Sequence, residues 1–218
     1  MDNNFNENYY SKEMKYIDND KVRLKFILKN IEDKNLDILD IGCWDGSYAF
    51  RYKKSSNKIY GIESSKTAAK KAEKKGIIVE QGYFPEDNLF KNKKFDIIVA
   101  GEIIEHVFDT EKFLTTIKGK LKENGKLILT TPNIASLPRR VLLLLGINPM
   151  IEYRAEVGHI RYFTFSNLRN MLKELGFEIV KESSDVINFS GDGKFYDTNL
   201  VKIHKEWGRS ILIVCKNK

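Results

Sequence analysis

Between Ile38 and Tyr48 the chain reads ILDIGCWDGSY, an apolar run that ends in an acid and passes through two glycines into a segment of helical character. Gly42 and Gly46 let the backbone turn sharply and approach a ligand with no Cβ in the way, and the helix that follows presents unpaired amide groups. A second apolar run, KIYGIE, ends 21 residues after Gly42 in Glu63, where a carboxylate can accept both hydroxyls of a ribose. Together they point to a cofactor containing adenosine. The glycine spacing is G-x-x-x-G, with Trp44 where the dinucleotide fingerprint requires glycine, which points away from nicotinamide.

Runs that are apolar almost throughout, separated by helical periodicity, are the pattern of a parallel sheet covered on both faces. The spacing predicts strands at DILDIG, KIYGIE, Ile77 to Gln81, Phe95 to Gly101, Gly125 to Thr131, Phe177 to Lys181 and Arg209 to Cys215. A long polar loop from Ser183 to Gly208 precedes the last of them. In such a doubly wound α/β sheet ligands sit at the carboxyl ends of the strands, where Gly42, Glu63, Ala100, Gly101 and Glu102 would converge. With 218 residues and no linker rich in Pro, Gly or Ser, one domain over 1–218 is expected.

Cys43 and Cys215 lie in or beside apolar runs and form no C-x-x-C pair, which favours reduced thiols and a cytoplasmic setting. The polar start MDNNFNENYY, and the lack of any apolar run near the roughly 18 residues of a membrane span, argue against secretion and insertion. The formal charge of +7 could attract a phosphate-bearing partner, but 29 of the 37 basic residues are lysines scattered along the chain, the pattern of ordinary solvation. Four of the eight arginines, Arg139, Arg140, Arg154 and Arg161, share one 23-residue window and are candidate phosphate contacts.

After the fourth strand, Glu102, Glu105 and His106 place two carboxylates and an imidazole within five residues, and GHIRYF later adds His159. In a helical turn positions 102, 105 and 106 share a face, so these groups could converge on one divalent cation. Two Glu and two neutral His suit manganese, magnesium, iron or zinc. Without a metal, His106 or His159 is the expected general base, because imidazole titrates near working pH whereas Glu102 is normally too weak a base. The run Val141 to Leu145 reads as a short helix packed over the cleft, in preference to a membrane-surface patch. Exposed apolar residues beside arginine would reverse that preference.

Asp40, Gly42 and Gly46, in the form D-x-G-x-x-x-G, followed in order by FDIIVAGEIIEHV, GKLILTTPN and GHIRYFTFSNLRNMLKELGFEIV, resemble the class I S-adenosylmethionine-dependent methyltransferases from Asp37 to about Lys216. The resemblance implies a Rossmann-like seven-stranded sheet of order 3-2-1-4-5-7-6 with the last strand antiparallel, a helical lid over 1–35 and an acceptor-recognition insertion over 134–165. It also implies cofactor contacts from Asp40, Gly42, Cys43, Gly46, Glu63, Gly82, Tyr83, Ala100, Gly101 and Glu102. In many relatives the third strand is followed by Gly-Asp, whose acid holds the adenine amine. Here the sequence is Gly82-Tyr83-Phe84, so a backbone carbonyl near Gly82 or Tyr83, or the side chain of Glu86, would have to serve.

The E-x-x-E-H spacing with a distant His resembles the metal site of small-RNA 3′-terminal 2′-O-methyltransferases, and E-x-x-E-H also occurs in ubiquinone-pathway O-methyltransferases. The TPN segment, the arginines and the GHIRYFT ending are similar to methyltransferases encoded among bacterial surface-polysaccharide genes. That likeness implies methylation of a hydroxyl on a sugar, as a nucleotide-linked or polysaccharide precursor, with manganese or magnesium chelating a vicinal diol. The alternatives are a quinone or phenolic lipid, the terminal ribose of an RNA, and a protein that binds S-adenosylmethionine without catalysis. Against RNA, the chain lacks the aromatic and arginine pattern of a common RNA module.

Overall fold

The computed structural model describes residues 20–32, 35–53, 56–149, 158–189 and 196–217. Its first element is helix α1 (Asp20–Lys29), followed by β1 (Asp37–Ile41), α2 (Ser47–Tyr52), β2 (Lys58–Glu63), α3 (Lys66–Lys74), β3 (Ile78–Gln81) and β4 (Phe95–Gly101). A 3₁₀ turn (Ile104–His106) then leads to α4 (Thr110–Lys120), β5 (Leu121–Pro132), α5 (Leu137–Leu144), α6 (Phe165–Glu174) and β6 (Phe177–Ser184). The remainder holds a short ribbon of β7 (Ile187–Asn188) and β8 (Tyr196–Asp197), α7 (Leu200–Ile203), a 3₁₀ turn (Lys205–Trp207) and β9 (Ser210–Asn217).

The main sheet has seven strands in the order β3-β2-β1-β4-β5-β9-β6. Leaving aside the ribbon, this is the expected 3-2-1-4-5-7-6. β1 pairs in parallel with β2 and β4, and β9 runs antiparallel between β5 and β6. The apolar character of the central strands follows from cover on both faces. On one face Leu39, Ile41, Ile98, Leu127 and Leu129 meet Phe113 and Ile117 of α4 and Leu168 and Leu172 of α6. On the other, Ile38, Ile97, Val99 and Ile128 meet Ile27 of α1, Ala49 and Tyr52 of α2 and Ala72 of α3. Alternate residues of one strand therefore enter different cores, as the two-residue period of a strand requires.

Three expectations change. The stretch from Ser183 to Gly208, predicted as a polar loop, contains the ribbon and two helical turns. The lid expected over 1–35 is described only from residue 20, and within it α1 packs Leu24, Phe26, Ile27 and Ile31 into the second core. The helix predicted at Val141 to Leu145 begins earlier, at Leu137 with Pro138 in its first turn, and it buries no residue. Val141, Leu143, Leu144 and Leu145 of the apolar run are exposed.

Candidate active site

The loop between β1 and α2 is stitched to the end of β2. The amides of Gly42 and Cys43 donate to Ile62 O at 2.9 and 3.1 Å, and that of Trp44 to Glu63 Oε2 at 2.9 Å. The Ser65 amide donates to Glu63 Oε1 at 2.8 Å. Glu63 is thereby fixed with only 4% of its surface exposed. Oε1 also accepts from Ser64 Oγ at 3.3 Å, so it is Oε2 that keeps a lone pair for a further donor, such as a ribose hydroxyl. Burial raises its pKa, and the Ser65 and Trp44 amides pull the other way.

Both motif glycines need their lack of Cβ. Gly42 has φ 71°, and a Cβ there would stand 3.1 Å from the Ile103 side chain. Gly46, at φ 76°, starts α2, and its Cβ would lie 2.9 Å from Ala72 Cα and 2.5 Å from Ile77 Cδ1. Gly46 thus serves packing against α3 and against Ile77, just before β3. Cys43, expected among the cofactor contacts, has its thiol buried at 3% exposure against Gly61 of β2, and its amide is used by Ile62. Only its carbonyl and neighbours face the loop, so its side chain is core.

At the end of β3 the chain closes a turn that sequence spacing did not reveal. Asp87 folds back so that Oδ2 accepts the Tyr83 amide at 2.7 Å and sits 2.6 Å from where a Gly82 Cβ would be. Glu86, expected to reach in, is exposed and makes no such contact, whereas Asp87 lies four residues beyond Tyr83 and closes a turn with it through Asp87 N to Tyr83 O at 2.8 Å.

Arg23 of α1 was not singled out by any motif, yet it enters the centre. Its Nη1 lies 3.4 Å from Glu102 Oε1 and its Nη2 donates to Tyr48 Oη at 3.1 Å. Asp40, at 5% exposure, has its pKa raised to about 8 by burial, with Arg23 lowering it and Glu63 raising it. Ala100 is fully buried in β4 and Gly101 ends that strand. Glu102 follows in the left-handed region at φ 55°, its amide donating to Thr130 O at 2.9 Å. A non-glycine residue there is strained and points to a local functional constraint.

The four expected metal ligands are only partly assembled. Glu105, His106 and His159 present one ligand atom each within 4.8 Å of one another. Glu102 stands outside that group because it precedes the 3₁₀ turn rather than sharing a helical face, and Thr130 Oγ1 donates to its Oε1 at 2.8 Å. Glu105 is 1% exposed, and its Oε2 accepts from Thr131 Oγ1 at 2.9 Å. Among the described residues, its Oε1 is the one buried side-chain polar atom with no partner. Desolvation, then the Glu102 charge, pushes the Glu105 pKa well above the usual carboxylate range.

His159 is brought in by backbone bonds, since the amides of Ile160 and Arg161 both donate to Glu105 O, at 2.9 and 3.0 Å. The two imidazoles meet edge to face at 4.7 Å between centroids. His106 Nδ1 lies 3.1 Å from Gly158 O. A carbonyl only accepts, so the proton sits on Nδ1 and Nε2 keeps its lone pair. Partial burial, then His159, holds the His106 pKa below its ordinary value, which keeps the ring neutral near pH 7.

The arginine window does not converge on a phosphate site. Arg139 donates to Asn133 O, Arg140 to Ala135 O, and Arg161 to Phe108 O while lying over the Phe108 ring. Arg154 lies outside the described residues.

Residues 12–182 match the model of a methyltransferase domain family. The chain belongs to that family. Its fold is shared with a Thermotoga maritima S-adenosylmethionine-dependent methyltransferase, a possible histamine N-methyltransferase, at TM-score 0.68 and 21% identity over 91% of this chain and 89% of that one. It is shared also with the magnesium protoporphyrin IX methyltransferase of Synechocystis PCC 6803, solved with S-adenosylhomocysteine, at TM-score 0.64 and 14% identity over 99% and 94%. Similar curated proteins include ubiquinone biosynthesis O-methyltransferases of Rickettsia felis, 28% identical over 51% of this chain and 50% of that protein, and of Pelagibacter ubique, 29% identical over 61% of each. A third, from Rickettsia canadensis, is 27% identical over 72% and 71%. The match thus spans half to seven-tenths of these relatives' length.

These names overturn the expected sugar acceptor. Those relatives are, by name, ubiquinone biosynthesis O-methyltransferases. The segments that suggested a sugar have local duties instead: Asn133 holds the Glu206 and Gly208 carbonyls, and Arg161 holds Phe108. Among the described residues no helix is long and apolar enough to cross a membrane.

Proposed function

We propose that this chain is an S-adenosylmethionine-dependent O-methyltransferase whose acceptor is a hydroxyl of a quinone-type phenol, with a divalent cation held by Glu105, His106 and His159. The observation that carries the reading is the unpartnered, buried Oε1 of Glu105, a residue that offers a ligand atom within 4.8 Å of those of two imidazoles, in a chain whose similar curated relatives are named ubiquinone biosynthesis O-methyltransferases. A buried carboxylate oxygen without a donor costs free energy unless a cation or proton meets it, and one carboxylate with two neutral imidazoles suits manganese, magnesium or zinc.

Asp40, Gly42, Trp44, Glu63, the Gly82 to Asp87 turn and Gly101 surround the cofactor place at the carboxyl ends of β1 to β4. S-adenosylmethionine supplies there a sulfonium methyl. Glu63 takes the ribose hydroxyls and Asp87 with the Tyr83 backbone takes the adenine edge. Arg23 provides the cation suited to the cofactor's carboxylate. A divalent ion lowers the pKa of a hydroxyl that it touches. His106 Nε2, unprotonated, ligates or receives the hydroxyl proton, while Phe108, 80% exposed, offers an aromatic surface at the rim for a phenol ring.

The test is S-adenosylhomocysteine release with simple and prenylated catechols, with manganese and again with excess chelator. Release on catechols that the chelator abolishes and manganese restores is expected. No release on any catechol would overturn the acceptor, and release indifferent to chelator would leave His106 as the base without a metal.

A further inference from the structure

Helix α5 presents an apolar surface to solvent. Leu143, Leu144 and Leu145 are 66, 86 and 66% exposed, and Ile203 of α7 is 71% exposed. These segments adjoin, because α5 packs on the Lys205–Trp207 turn that follows α7. Between them lies a pocket of about 460 Å³ whose lining includes Arg140, Lys202, Lys205 and Trp207. Arg140 stands three and four residues before Leu143 and Leu144, so the pocket cation and the exposed leucines share one side of α5. Arg140, Lys202, Lys205 and Arg169 outnumber the nearby Glu182 and Glu206, to which Lys205 and Arg169 are bridged. Trp207, stacked on His204 at 4.4 Å between centroids, adds an amphipathic ring of the kind found at membrane interfaces.

We infer that this face docks on an anionic phospholipid bilayer, with the leucines of α5 and Ile203 entering the acyl boundary and Arg140 and Lys202 meeting lipid phosphates. Apolar prongs ringed by cations fit an anionic interface. A second copy fits less well, because a chain of net charge +7 would bring basic residues against basic residues. The inference goes beyond the proposed function and stands on this surface alone. Docking would give the enzyme access to an acceptor dissolved in lipid.

The experiment is cosedimentation of the full chain with phosphatidylcholine vesicles and with vesicles also containing phosphatidylglycerol, beside sedimentation velocity without lipid. The chain is expected on the anionic vesicles and off the neutral ones. Leu144→Glu should weaken binding by roughly tenfold or more, and Lys202→Ala by about fivefold, with unchanged melting temperatures. Leu143→Ser serves as a second apolar variant should Leu144→Glu fail to fold. Absence of binding, equal binding to both vesicles, retention by the variants, or a lipid-free dimer that Leu144→Glu dissolves would each overturn the inference. Methyl transfer is not read, so failure here is distinct from failure of the acceptor assignment.

Discussion

Arg23 Nη1 stands 3.4 Å from Glu102 Oε1, joining α1 to the strained residue that follows β4. Arg23 also acts on the charges of Asp40 and Glu105, lowering the pKa of both. One guanidinium therefore offsets three carboxylates at the point where a cofactor carboxylate would arrive.

Arg23→Ala should weaken S-adenosylhomocysteine binding by tenfold or more, about 1.4 kcal/mol, measured by calorimetry. Arg23→Lys should recover only part, because a point charge cannot hold both Tyr48 and Glu102 as a fork does. Unchanged affinity in both variants would remove Arg23 from the cofactor site.

Asp40 sets a pH dependence. Its folded pKa, raised to about 8 by burial, exceeds its unfolded value near 4. The folded state then binds the extra proton, so this contribution is fully present below about pH 4 and is lost as pH rises through about 8. Glu63 and Glu105, also raised, act in the same direction. Thermal stability without cofactor should fall from pH 6 to pH 9, and Asp40→Asn should melt higher than the native chain at pH 9 with the gap closing toward pH 4. A gap that widens on acidification would contradict the assignment.

Glu105→Gln keeps the shape and the acceptor for Thr131 while removing the charge. It should raise the melting temperature without metal at pH 8, since the native carboxyl there is buried beside Glu102. It should also abolish stabilisation by manganese, which for the native chain would be about 2.7 kcal/mol at a hundredfold excess over Kd. Manganese affinity should rise with pH as Glu105 gives up its proton. Equal manganese shifts in both proteins would exclude Glu105 as a ligand.

How much of this was legible in the sequence depended on whether a feature was local. The strands were legible as apolar runs, their order came from the resemblance to a known family, and Gly42 with Glu63 came from one loop and one strand end. Arg23, Asp87 and the displacement of Glu102 were not legible, because the first depends on tertiary packing of α1 and the other two on local backbone turns that no motif marks. The φ of 55° at Glu102 breaks the helical face on which the four-ligand expectation rested. Helix α5 misled for a different reason: its leucines mark burial in most helices, and here they are exposed beside arginine.

Gly46 separates packing from binding within one motif. A methyl group there would meet Ala72 Cα at 2.9 Å, which is backbone and cannot swing aside, and φ 76° is unfavourable for any L side chain. The left-handed conformation costs about 1–2 kcal/mol and overpacking a further 1–3 kcal/mol or so. Gly46→Ala should therefore lower stability by several kcal/mol in urea unfolding while the folded fraction keeps its S-adenosylhomocysteine affinity. Gly42→Ala carries a like left-handed strain at φ 71° but meets only the Ile103 side chain, at 3.1 Å, and projects beside the strand ends that would hold the cofactor. Its larger effect should fall on affinity. If both variants lost affinity equally, Gly46 would belong with Gly42 as a cofactor contact and its packing against α3 would be secondary.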